Sequence, residues 1–216
     1  MKTTRIFFFA AAAALLAGPA FGGIIVQDLG SAGSAGTVDV WRAATWTQTG
    51  TYSSVTIGAD LATNGISQGN GTAYLMTQLG PGTTIADEVA SFSIVNLPTS
   101  CCALNTMTPL FSGLTLGPGT YFLLIDPQTT LYWTVASSPS QTLGSGVTQG
   151  SDVALSGSRD PGFPPDSPYA ATAYNAIFSV SGTPVTGGST PEPSTIVMFL
   201  SGLAGIGIAL RKRRIA

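Results

Sequence analysis

Chemistry in this 216-residue chain rests on a short inventory: carboxylates, two adjacent thiols and scattered aromatic rings, with no histidine at all. The missing imidazole removes the usual Ser/His/acid and Cys/His nucleophile arrangements and the commonest transition-metal ligand. Asp87 and Glu88 are adjacent, and neighbours on a strand point to opposite faces, so they read as loop solvation rather than as the acid and base of a glycosidase. Asp152, Asp160 and Asp166 are close enough in sequence to ligate a structural calcium ion in an extracellular loop, although their spacing matches no standard calcium loop. Turn and surface carboxylates are the plainer reading, and no other cofactor and no catalytic residue is expected. Cys101 and Cys102 are consecutive. Adjacent cysteines close a bridge only as a strained eight-membered ring, so these form a vicinal disulfide, pair between chains or stay as thiols.

Trp41, Trp46, Tyr52, Tyr74, Tyr132, Trp133, Tyr169 and Tyr174 could include a platform on which sugar rings stack, flanked by Asn, Asp and Gln side chains that bond hydroxyls. At strand positions core packing is the plainer role. Tyr169 and Tyr174, beside the Pro-rich stretch 161–168, are the pair expected at the surface.

The elements that must position these groups are short. Apolar runs rich in Val, Ile, Thr and aromatics at 24–27, 52–59, 72–79, 89–95, 110–116, 121–126, 131–136, 152–156 and 173–180 are strand candidates. Gly80-Pro81-Gly82, Gly117-Pro118-Gly119 and Asn70-Gly71 are the turn signals between them. No run from 23 to 190 makes a long helix. The expected fold is all-β, a jelly-roll-like β-sandwich over 23–180, followed by a flexible linker at 181–190 that lacks apolar periodicity.

Charge is distributed unevenly. Of eight cations only Arg42 and Arg159 lie between 23 and 190, against nine acids, so this body carries a formal charge of about minus seven. An acidic body without lysine excludes nucleic acid as a partner, because phosphate binding needs clustered Lys and Arg. Its remaining polar groups are Ser, Thr, Gly, Asn and Gln.

Both ends of the chain are membrane signals. Lys2 and Arg5 precede an apolar stretch at 6–17 and small residues at Gly18, Ala20 and Gly22, the pattern of a secretory signal peptide spanning 1–22, with cleavage after Gly22 preferred to cleavage after Ala20. At the other end, Pro191, Glu192, Pro193 and Ser194 lead into an apolar run at 196–210 and then Arg211, Lys212, Arg213 and Arg214. As a helix that run covers roughly 22 Å, short for a bilayer core of about 30 Å, and Ser194 and Thr195 extend it at one end while the basic stems snorkel at the other. The basic cluster is a membrane stop that stays in the cytoplasm, placing everything before Ser194 on the other side. Two prolines hold Glu192 on an extended, unpaired backbone, the form a membrane protease needs.

This tail (motif 191–194, transmembrane helix 195–210, basic end 211–216), paired with a signal peptide, resembles the PEP-CTERM sorting signal of Gram-negative bacteria. The resemblance implies an exosortase-type membrane enzyme as partner, which recognises the Pro-Glu-Pro region, removes the helix and basic end, and releases or attaches the ectodomain at the cell surface. It also implies bacteria that make exopolysaccharide and biofilm, and it transfers nothing to the body. The expected role is therefore structural or adhesive, with extracellular polysaccharide. A carbohydrate-binding module and an extracellular hydrolase are the alternatives. N-terminal sequencing of the exported protein should return Gly23 as the first residue; a chain still beginning at Met1 would remove the signal peptide from the reading.

Overall fold

The strand Gly119–Thr129 (β8) explains its own sequence, because Tyr121, Phe122, Leu123, Leu124 and Ile125 form an apolar run with no alternation and the strand is covered on both faces. The computed structural model describes residues 22–31, 35–38, 40–63, 65–99, 103–155 and 162–185. These residues are all-β, with a single 3-10 turn at Ile85–Asp87 and no α-helix. The signal peptide, the expected transmembrane helix and sorting motif, Cys101, Cys102 and Asp160 lie outside the described residues.

The strands form two antiparallel sheets. In the first, Ser140–Leu143 (β10), Gly23–Leu29 (β1), Phe178–Pro184 (β15), Tyr52–Thr63 (β4), Leu131–Ala136 (β9) and Asn175–Ala176 (β14) run side by side. Ala35–Val38 (β2) also pairs with β9, and Met107–Leu116 (β7) with β4. The first sheet curls because β4 is long: its early residues pair with β7 and β15, and Leu61 to Thr63 pair with β9. In the second sheet Tyr169–Ala171 (β13), Val153–Leu155 (β12), Arg42–Gln48 (β3), β8, Gly69–Met76 (β5) and Glu88–Leu97 (β6) are neighbours, with Val147–Gln149 (β11) also on β3.

One core lies between them. Val55, Ile57, Ala59 and Leu61 on β4, Trp133 and Leu131 on β9, and Phe178 and Val180 on β15 meet Ala44 and Trp46 on β3, Leu123 and Ile125 on β8, and Ala73 and Leu75 on β5. Each set follows the period of two that sends alternate side chains to one face. Trp46 contacts rings from both sheets, Tyr121 at 5.6 Å between centroids and Phe178 at 6.1 Å. Its indole N–H donates to Gln48 Oε1 at 3.2 Å, and Gln48 Nε2 donates to the Leu116 and Gly117 carbonyls. A smaller cluster on the outer face of the second sheet joins Trp41, Ala43, Leu124 and Leu155, with Tyr74, Phe122 and Tyr169 packed against it.

Several expectations are corrected. Asn70-Gly71 is no turn but part of β5, where a Cβ at Gly71 would collide with the Asp126 carbonyl oxygen and the Leu131 side chain. The glycine is required by close approach of chains rather than by a reversal of direction. The expected strand at 72–79 ends at Met76, and 173–180 is interrupted at Ile177 between β14 and β15. β15 continues to Pro184, so residues 181–184 of the expected linker belong to the sheet, with Thr183 opposite Ser53 and Pro184 opposite Tyr52. Gly80 and Gly82, in contrast, do form a turn, with φ of 96° and 90°.

Gly71→Ala should destabilise the protein by about 1–3 kcal/mol, the usual cost of overpacking. Gly117→Ala, where an added Cβ meets nothing within 4 Å, should stay within about 0.5 kcal/mol. Urea unfolding of the two variants checks the pair, and equal costs would refute the close-approach explanation.

Candidate functional site

Charged side chains are the groups most able to do chemistry, and the fold puts most of them inside. Among the described residues Asp28, Arg42, Asp60, Asp126 and Asp152 are buried, Asp87 and Glu88 are half-buried, and Asp166 alone is exposed. Asp152, whose plainer reading from the sequence is a turn or surface carboxylate, is thereby corrected to a buried one. What faces water is mainly Ser, Thr, Gly and amide side chains.

Asp152 joins the most elements. It follows β11 and precedes β12, and its Oδ2 accepts from the Ala176 N–H of β14 while its carbonyl accepts from Thr172 N at 2.9 Å. Arg42, at the start of β3, donates through Nη1 to Thr172 Oγ1 at 3.1 Å and to the Tyr174 carbonyl at 2.6 Å. Asp28 on β1 accepts from Gln149 Nε2 at 2.5 Å. Asp152 Oδ1, Asp28 Oδ1 and Arg42 Nε are each buried without a hydrogen-bond partner. The three charges therefore draw on one partly satisfied polar interior.

Burial pushes the Asp152 carboxyl up to about 7; the Ala176 amide and Arg42 oppose this, while Asp28 adds to it. Burial likewise raises Asp28 against its Gln149 and Gln141 hydrogen bonds. It raises Asp60 against the Asn105 amide (2.5 Å) and the Thr134 hydroxyl (3.1 Å). Burial lowers Arg42, and the Asp152 charge partly restores it. Asp60 has a structural role through Asn105, which at φ 67° bonds both the N–H and the carbonyl of Gly30 and so ties the end of β1 to β4.

Of the calcium candidates, Asp160 lies outside the described residues. Asp152 is enclosed, Asp166 is exposed, and among the described residues no three acids or other metal-ligating side chains converge. Asp87 caps the turn at Ile85–Asp87, accepting from Thr84 N at 2.8 Å and Thr84 Oγ1 at 2.9 Å.

The aromatic candidates are mostly core. Trp41, Trp46, Trp133 and Tyr52 are buried, and Tyr74 and Tyr132 are half-buried. Tyr74 stacks on Phe163 at 4.4 Å and lies near-parallel to Trp41 at 6.3 Å, so its ring is engaged within the protein. Tyr169 is not the surface ring expected of it. It lies opposite Leu155 in the β12–β13 pair, and its hydroxyl is buried without a partner and raised by desolvation and by Asp126. Tyr174 remains, 49 % exposed. Sequence reasoning missed Phe163, which closes the Tyr74 stack, and missed Arg42 as an interior group; its isolation in a body almost free of cations was the available signal.

The tail is settled by comparison rather than by geometry. Residues 189–214 match the PEP-CTERM protein-sorting motif. No curated protein and no solved structure matches the chain. Among the described residues no helix is long and apolar enough to cross a membrane.

The buried acids set a pH dependence. Native Asp152 keeps its proton up to about pH 7, whereas the unfolded chain releases it near pH 4. The native state thus binds more protons in that window, and stability falls as pH rises through it. Asp28 and Asp60 act in the same direction. The melting temperature should be higher at mildly acid pH than at pH 8. Asp152→Asn, which keeps an acceptor for the Ala176 amide, should flatten the profile and raise stability at pH 8 by on the order of 1 kcal/mol or more. A variant profile parallel to the wild type would contradict this.

Proposed function

We propose that this chain is an exported protein whose body is a non-catalytic, jelly-roll-like β-sandwich with a structural or adhesive role in an extracellular polysaccharide matrix. The sorting motif at 189–214 supports export and exosortase-type sorting to the cell surface. The observation that carries the role of the body is its surface. With five of eight described charges buried, it presents mostly neutral hydroxyl and amide groups, which match a hydroxyl-rich polymer over a broad area. Two antiparallel sheets around one core support the sandwich reading. The absence of imidazole and the enclosure of Asp28, Asp60 and Asp152 support a role without turnover, since a general acid or base must reach its substrate. Any calcium would be structural.

Exposed Tyr174 favours a second reading, a discrete carbohydrate-binding module built around that ring. A co-sedimentation assay with exopolysaccharide from the native cells separates the two. The exported protein should pellet with the polymer and release no reducing ends, and Tyr174→Ala should weaken retention by less than about tenfold, the worth of one ring contact among many. Abolition by that substitution would favour the module, release of sugar would favour a hydrolase, and failure to pellet would refute the matrix role.

A further inference from the structure

β6 is the outer strand of the second sheet: it pairs with β5 along one side, and among the described residues no strand pairs with the other. A sheet edge offers a row of N–H and C=O groups to any extended chain, and natural proteins usually block it with Lys, Pro or a short strand. Lys, Pro and shortness are absent here, and register shifts at Val89 and beyond Ile94 bound an open stretch between them. β6 is 10 residues long, contains neither Lys nor Pro, and has its one charge at its first residue, Glu88. No formal charge occurs from 89 to 125, a span that includes the rest of β6 and all of β7. Val89 is 40 %, Phe92 40 % and Val95 68 % exposed, so the edge also displays large apolar side chains.

We propose that β6 pairs antiparallel with β6 of a second copy of this chain, around a two-fold axis at Phe92. A two-fold axis perpendicular to the sheet keeps the faces of both strands aligned only if a residue meets itself at the centre. Asn96 ends the regular stretch, with φ 55° and its N–H donated to Asn70 Oδ1. The register with β5 also shifts beyond Ala90 at one end and beyond Ile94 at the other, so the regular segment is 90–94, which is symmetric about Phe92. That register sets Ser91 against Ser93 on the outer face and Ala90 against Ile94 on the core side, with the exposed Val89 and Val95 flanking the seam. The segment 90–94 contains no charged residue, so no like charges oppose one another. The two Phe92 rings meet at the seam where each already contacts Phe111, at 6.4 Å and 71°.

The charge pattern selects a second copy as the occupant. A charged partner finds no opposite charge along this edge, whereas a copy brings a charge-free strand of identical side-chain pattern. The largely neutral surface adds little repulsion between copies. This inference stands on the sheet edge and is independent of the polysaccharide reading.

Disulfide trapping in the native cells tests it, using the full chain with Cys101→Ser and Cys102→Ser as background. Across such an axis the Phe92 Cα atoms would be about 4.5–5.5 Å apart, inside the roughly 4.4–6.8 Å that a disulfide spans. Phe92→Cys, and separately Ser91→Cys combined with Ser93→Cys, should give a disulfide-linked dimer on mild oxidation, several-fold more than Ile66→Cys, which is exposed but off this edge. Adding Val95→Lys to the Phe92→Cys chain should abolish the dimer while leaving the far-ultraviolet circular dichroism of the folded protein unchanged. Equal trapping at position 66, trapping that survives Val95→Lys, a cross-link to a different protein, or no dimer from either cysteine variant would overturn the proposal.

Discussion

A charge held inside a protein costs several kcal/mol unless hydrogen bonds replace its water, and among the described residues five ionisable side chains lie there. The arrangement depends most on Asp152, whose carboxylate and carbonyl accept from β14 and from the segment after β13, while Arg42 of β3 holds that same segment. The ends of both sheets are joined through these bonds. Asp60 plays a similar part through Asn105 at the junction of β1 and β4. The carboxylates act as fasteners, and one protonated near neutrality fastens without leaving a full buried charge.

The consequence appears at the surface. A body with nine acids and two cations would be expected to repel its own kind, yet Asp166 is the only described charged residue that is exposed. Neutral hydroxyl and amide groups remain to face water. Such a surface suits contact with a neutral or hydroxyl-rich polymer, and it leaves a charge-free strand edge unprotected by repulsion. The first property follows from moving charge inward, and the second from the absence of any charged residue between 89 and 125.

Much of the strand pattern was legible in the sequence. The candidate at 131–136 coincides with β9, because a β-branched and aromatic run between turn residues has few alternatives. β8 was legible for the same reason, although the sequence could not say that its two faces meet two different clusters. β3 was missed: Arg42-Ala43-Ala44 lacks the β-branched and aromatic residues that mark strands, Thr45-Trp46-Thr47 is a short run by itself, and pairing with β8 and the core around Trp46 fix the whole as a strand. Asn70-Gly71 misled because a glycine needed for close approach looks the same as one needed for a turn. Tyr169 misled because its Pro-rich surroundings fold back over the outer face of the second sheet. Burial of the acids was illegible because their partners, Gln149, Asn105 and the Ala176 amide, lie far away in sequence.

The sorting signal was the most legible feature, since a polar motif, an apolar run and a basic end are a local pattern that requires no fold; it matches the PEP-CTERM motif over 189–214. Delivery of the neutral-surfaced body to the cell exterior by processing at that motif has a decisive test in mass spectrometry of the C-terminal peptide of the protein isolated from its native cells. Processing predicts a new end near Pro193, with residues 196–216 gone and any added mass reporting the attachment. An intact C-terminus at Ala216 would contradict it and make the chain a single-pass membrane protein that displays its sheets outward.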